Sequence, residues 1–181
     1  IGNYYTGTAI VTNSTFTGNA ASGAWGGGAI FNRSPGAMTV TSCTFSGNTA
    51  AGSGGAVGNG GNGEAGGVLT VSNSILADSA VGAANVNCYN DGTLIDGGYN
   101  LEDTATCGFG ATSLENTNPG LWYWMDNNGG TTPTIALITG SAAIDQIPSG
   151  VNGCGTTLAV DQRGVARPQG TACDIGAYEA E

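Results

Sequence analysis

Thr12-Asn13-Ser14-Thr15-Phe16-Thr17-Gly18-Asn19-Ala20 is answered by Thr41-Ser42-Cys43-Thr44-Phe45-Ser46-Gly47-Asn48-Thr49, with a spacing of 29 between equivalent positions. A fainter copy, Ser72-Asn73-Ser74-Ile75-Leu76-Ala77-Asp78-Ser79, follows at a further spacing of 31. A period of this size, carried by β-formers and turn residues without helical spacing, marks one coil of a solenoid rather than one helix pair. The flanking sequence keeps the same registers. Val11, Val40 and Val71 share one column, and Phe16, Phe45 and Leu76 share another.

Each phrase sits between two other strand-like runs. Thr8-Ala9-Ile10-Val11-Thr12, Met38-Thr39-Val40-Thr41 and Val68-Leu69-Thr70-Val71 precede the phrases. Gly26 to Asn32, Gly54 to Asn59 and Ala84 to Cys88 follow them. About three short strands per coil are therefore predicted, separated by Gly, Asn and Ser turns. Asn19 over Asn48 and Asn32 over Asn59 predict amide ladders, each side chain bonding its equivalent one rung away, at a rise of roughly 4.8 Å.

Only 32 of the 181 residues are Leu, Ile, Val or Phe, a fraction that by itself suggests disorder. The fixed columns argue against it, because stacked coils pack each apolar side chain on its equivalents above and below. The chain has 34 Gly, no His, no Lys and three Arg, with a net charge of -10. The acidic balance disfavours nucleic acid, which needs Lys and Arg to displace counterions, and equally disfavours an anionic lipid surface. No apolar run is long enough to insert in a membrane. No signal peptide is visible, and a start at Ile1 fits a processed or truncated chain.

Five cysteines in such a chain suggest an oxidising compartment. Cys43 shares the column of Ser14 and Ser74 and reads as a free thiol inside a coil. The other four allow three pairings; Cys88–Cys107 with Cys154–Cys173, each at a sequence separation of 19, is favoured. Loops of that size contribute about 3 kcal/mol each on the chain-entropy model. Metal binding is the rival reading, and there is neither a C-x-x-C pair nor a His to support it.

Beyond residue 93 the period fades. Leu94 to Leu101 reads as one more rung, Leu121-Trp122-Tyr123-Trp124-Met125 is an aromatic cluster, and Thr134 to Ile138 is a further strand candidate. Residues 1–7 are a lead-in, residues 1–101 the coils, and residues 102–181 a last rung with a C-terminal cap in the same domain. An open solenoid end presents unpaired strand edges, and the tail is expected to cover that end.

The tail carries Gly140-Ser141-Ala142-Ala143-Ile144-Asp145, then Asp161-Gln162-Arg163-Gly164-Val165-Ala166-Arg167-Pro168, then Cys173-Asp174-Ile175-Gly176-Ala177-Tyr178-Glu179. With Gly98-Tyr99-Asn100-Leu101 and the run from Asp126 to Thr134, it resembles the C-terminal signature of bacterial choice-of-anchor Q surface proteins. The resemblance implies an all-β, single-stranded right-handed parallel β-helix with a disulfide-stapled C-terminal cap, related in form to pectate-lyase-like and polymorphic outer-membrane repeat proteins. It also implies a bacterial protein that is secreted or held at the cell surface.

Arg163 and Arg167 with Asp145, Asp161 and Asp174 form the best candidate constellation. One reading is a site for an acidic sugar, with Ca²⁺ as a conceivable helper. The other is an ion-pair bracket that pins the tail, which suits the planar fork of Arg. Trp122, Tyr123 and Trp124 suit sugar stacking, an apolar plug or a subunit junction; as a strand, Trp122 and Trp124 would share one face and Tyr123 the other. Tyr4 and Tyr5 are further junction candidates. Asp91, Asp96, Glu102 and Asp103 match no defined Ca²⁺ loop and read as solvated surface. Asn13-Ser14-Thr15 and Asn32-Arg33-Ser34 are formal glycosylation sequons.

No catalytic residue and no cofactor is expected. The chain reads as an extracellular structural solenoid whose uncovered first coil suits head-to-tail self-association. The alternative is a carbohydrate-binding or polysaccharide-degrading β-helix.

Overall fold

The corners of each coil come directly from the repeated phrase. Asn13, Ser42 and Asn73 hold the same place in it, and all three have positive φ (47°, 51° and 54°). Gly18, Gly47 and Asp78 hold the next corner, again at positive φ (64°, 66° and 52°). Gly adopts this left-handed conformation freely, and Asn and Asp tolerate it better than other side chains. Between the corners lie Thr, Val, Ile and Phe, which suit extended backbone.

The result, seen in a computed structural model describing residues 1–23, 26–61 and 63–181, is a parallel β-solenoid of about three turns. Strand β1 (Gly2–Asn3) leads into β2 (Thr8–Thr12), β3 (Thr15–Thr17), β4 (Ala20–Ala21) and β5 (Ile30–Asn32). The next coil repeats them as β6 (Ala37–Thr41), β7 (Thr44–Ser46), β8 (Thr49–Ala50) and β9 (Val57–Asn59). Then come β10 (Val68–Ser72), β11 (Ile75–Ala77), β12 (Ala80–Val81), β13 (Ala84–Asn85) and β14 (Cys88–Asn90), and finally β15 (Thr93–Asp96) and β16 (Leu101–Glu102).

Four sheets wall the coil. The first stacks β1-β5-β9-β14, the second β2-β6-β10-β15, the third β3-β7-β11-β16, and the fourth β4-β8-β12 with β13 antiparallel at its edge. The fourth sheet is one more than the three strands per coil predicted, and each of its strands is only a pair of residues. The lead-in is also more than a lead-in, because β1 pairs with β5 and puts Asn3 beside Asn32.

Inside the coil, Phe16 stacks on Phe45 with centroids 4.8 Å apart and planes 6° apart. Met38, Val40, Leu69, Val71 and Leu76 continue the buried core. The amide ladder is longer than predicted. Asn3 donates to Asn32 (2.8 Å), Asn32 to Asn59 (2.9 Å) and Asn59 to Asn90 (2.7 Å). Asn19 donates to Asn48 at 2.8 Å in the second ladder.

The tail does not cover the end of the stack. It lies along the outer side of the third sheet, where Ile75, Ala77 and Leu101 pack against Ala143, Ile147, Cys173 and Ile175. Hydrogen bonds tie it to successive coils: Asn13 to Val160, Thr15 to Gln162, Ala177 to Thr44, and Asn73 to Asn152. The physical reason is in the third phrase, where adjacent Ile75 and Leu76 point to opposite faces and are both fully buried. The outer face of the third sheet therefore needs its own cover.

The C-terminal end of the coil is closed instead by the segment from residue 103 to residue 115. Cys107 and Phe109 enter the interior core there, and Cys107 is bonded to Cys88. Residues 134–138 form no strand; Leu121 and Asp126 make single antiparallel bridges to Leu137 and Thr134.

Candidate functional site

Both tail arginines are spent inside the protein. Arg163 pairs with Asp161 (Nε to Oδ2, 2.9 Å), donates to the Asn128 and Glu179 carbonyls, and lies 3.7 Å over the Tyr178 ring. Arg167 pairs with Glu179 at 2.9 Å and donates to the carbonyls of Asp174 (2.8 Å) and Gly176 (2.7 Å). Their side chains are 3% and 1% exposed, so neither of these two guanidinium groups is free to meet an acidic sugar. Each arginine is held by partners within residues 102–181.

The membership of this bracket differs from the sequence reading in one respect. Arg167 takes Glu179 as its carboxylate partner, while Asp145 and Asp174 organise backbone. Asp145 accepts from the Ala172 amide (2.9 Å), and Asp174 accepts from the amides of Asp145 (2.8 Å) and Ala180 (2.6 Å). Burial pushes the Glu179 and Asp174 carboxyls above their ordinary range, against the pull of Arg167. Burial also draws the Arg167 guanidinium down, with Glu179 opposing it.

Within the acidic group near residue 100, Glu102 is not solvated surface. Glu102 pairs in register with Leu76 and so ends the Phe16-Phe45-Leu76 column, fully buried. Its carboxylate accepts from the amides of Thr106 and Cys107 (both 3.0 Å), the hydroxyls of Thr104 and Thr106, and the Asn87 amide. Asp96 pairs with Val71 and ends the valine column in the same manner. It accepts from Gly98, Asn100, Gly110 and Ser113. Two carboxylates thus anchor the segment that closes the coil, and Asp91 alone of the group is exposed without such a role. Among the described residues no three His, Cys, Asp or Glu side chains converge as a metal set.

The aromatic cluster neither forms a strand nor plugs the coil. Trp122, Tyr123 and Trp124 stand on a bend with ring centroids 6.0–6.2 Å apart, and are 45%, 87% and 63% exposed. Strand alternation fails because the backbone pairs only at the two ends of the segment, so that the stretch between Leu121 and Asp126 bulges outward. At their foot a groove of about 640 Å³ runs past Ser46, Asp78, Asp103 and Asn116. Tyr4 and Tyr5 lie elsewhere, beside the first sheet, with the Tyr4 ring against Phe31 at 5.7 Å.

Cys88–Cys107 and Cys154–Cys173 are the two disulfides, and Cys43 is free and buried. Burial raises the Cys43 thiol to about 12. It is expected to resist an alkylating reagent in the native protein and to react once denaturant opens the coil; mass spectrometry of the alkylated protein checks this. Of the two sequons, Asn32 is fully buried in its ladder and Asn13 donates to the Val160 carbonyl at 2.9 Å. Neither presents a free amide to a modifying enzyme.

Strands β2 and β15 end the second sheet, so each has a backbone edge with no strand beside it among the described residues. Ile10 on β2 is 76% exposed and Ile95 on β15 is 45% exposed, at the two ends of one outer column. No helix among the described residues is long and apolar enough to cross a membrane.

Fold and site together define a parallel β-solenoid of about three turns stapled by two disulfides, which point to an oxidising or extracellular environment. No protein-family profile matches the chain, and no similar curated protein or solved structure is found.

Proposed function

We propose that the chain is a secreted or cell-surface bacterial structural protein, as its likeness to choice-of-anchor Q proteins implies. It is not an enzyme in this reading, and it joins copies of itself head to tail. The observation that carries the reading is the pair of edges in one sheet, at β2 and β15, that no strand among the described residues pairs. If β2 of one copy continues the sheet beyond β15 of another, Ile10 stacks on Ile95 and Ala9 on Leu94. Parallel pairing then proceeds across the boundary in the same pattern as within the molecule. A contact between two different surfaces does not close on itself and gives a filament. Tyr4 and Tyr5 lie next to this edge and suit the rim of the junction, whereas the Trp122 cluster lies away from it.

Sedimentation velocity and electron microscopy of the disulfide-intact chain test the proposal. Assemblies that grow with concentration are expected, and Ile10→Lys, which charges the edge, is expected to leave folded monomers. Monomers alone in the unmodified protein, or filaments undisturbed by Ile10→Lys, would overturn it.

A further inference from the structure

The rings of Trp122, Tyr123 and Trp124 expose apolar surface that the fold does not use. Their positions are nonetheless fixed. Trp122 donates to the Ala136 carbonyl (2.8 Å) and Asp126 exchanges hydrogen bonds with Thr134 (3.1 and 2.8 Å), so both ends of the bend are pinned. The rings brace one another, Trp122 meeting Trp124 edge-on at 84°. A braced ring that keeps a large part of its area in water is preorganised to receive a partner at small entropic cost.

The groove beneath supplies two carboxylates together with amide and hydroxyl groups. The Asp103 carboxylate is set in place by the Asp78 amide (2.9 Å), Asn85 (3.1 Å) and Asn87 (2.6 Å). Three accepted bonds leave a carboxylate about one acceptor position of roughly four. Asp78 stands beside it on a left-handed corner, and its carboxyl is raised by burial and by the nearby Asp103 charge. The exposed amide of Asn116 completes the opposite wall. The groove volume of about 640 Å³ falls within the roughly 300–1,000 Å³ of small-molecule sites.

We infer that this groove binds a neutral hexose glycan, with a sugar ring laid on Tyr123 beside the tilted Trp122 ring and its hydroxyls donating to Asp103, Asp78 and Asn116. The C–H face of a hexose is apolar and suits an aromatic ring, while its hydroxyls suit acceptor-rich carboxylates and amides. The two carboxylates, on a chain of net charge -10, repel uronic acids, so the specificity is opposite in sign to that of an arginine-lined site.

The test is calorimetric titration of cellohexaose, mannohexaose, chitohexaose and oligogalacturonate into the disulfide-intact protein. Ile10→Lys is used as the background, so that self-association and sugar binding are read separately. Binding of at least one neutral hexaose and none of oligogalacturonate is expected. Tyr123→Ala is expected to weaken it about tenfold, Asn116→Ala less, and Tyr123→Phe little, with circular dichroism unchanged throughout. The inference is overturned if no neutral hexaose binds, if oligogalacturonate binds as well, or if Tyr123→Ala leaves affinity intact. It is also overturned if Tyr123→Ala, in the otherwise unmodified chain, abolishes self-association, because the rings would then face a second copy.

Discussion

Replacing Arg167 with alanine is expected to destabilise the protein by about 3–5 kcal/mol, the cost of leaving a buried charge without its partner. Glu179, fully buried, would lose its ion pair, and the carbonyls of Asp174 and Gly176 would lose their donor. The damage is expected first in the tail, because Arg167 ties residues 174–179 into the wall that covers Ile75. The loss depends on pH. Burial already holds Glu179 and Asp174 above their ordinary values of 4.5 and 3.8. The stability linked to a raised carboxyl is present in full below its unfolded pKa and is lost as pH rises through the folded one. Without Arg167 the Glu179 carboxyl rises further, so the deficit is largest at neutral pH and shrinks near pH 4.5. Thermal unfolding of both proteins at the two pH values measures this; an equal deficit at both would contradict it.

Glu102→Leu is the second large effect, and it runs against hydrophobic intuition. Leucine would extend the apolar column of Phe16, Phe45 and Leu76, yet it is expected to cost about 3 kcal/mol or more. The amides of Thr106 and Cys107, both bonded to this carboxylate at 3.0 Å, would be left as unpaired donors. Their segment holds Phe109 in the core and the Cys88–Cys107 bridge in place. The variant is therefore expected to lose amide protection from residue 103 to residue 109 and to let dithiothreitol reduce this bridge before Cys154–Cys173. A variant as stable as the parent, or one in which Cys154–Cys173 is reduced before Cys88–Cys107, would refute the role given to Glu102.

The coil was readable from the sequence because its chemistry repeats at fixed spacing. Phe16 over Phe45, Val11 over Val40 and the asparagine ladders all follow from one nearly constant period. The fourth sheet left no comparable mark, since Ala20–Ala21, Thr49–Ala50 and Ala80–Val81 are too short and too small to stand out. Glu102 was hidden because it follows Leu76 at a shorter spacing than the one from Phe16 to Phe45 or from Phe45 to Leu76. That break in the period makes a column residue look like a surface acid. The place of the tail did have a signal. Ile75 beside Leu76, where the earlier phrases have Thr15-Phe16 and Thr44-Phe45, marks a strand with two buried faces. The bracket around Arg163 and Arg167 was legible as a cluster, but its pairing was not, because Glu179 reaches Arg167 only after the chain has folded back from residue 174.

The replacement of Val71 by Asp96 and of Leu76 by Glu102 in the next rung gives the solenoid a grammar of length. Columns that run apolar through three rungs and then turn ionic mark the last rung folded within one molecule. A duplication of residues 37–67 would add a rung between like rungs, with Ile30, Val57 and Cys88 still in line and the ionic terminator unmoved. Such a molecule has a direction: its length is free to vary on the side of β2, while the side of Glu102 stays chemically the same.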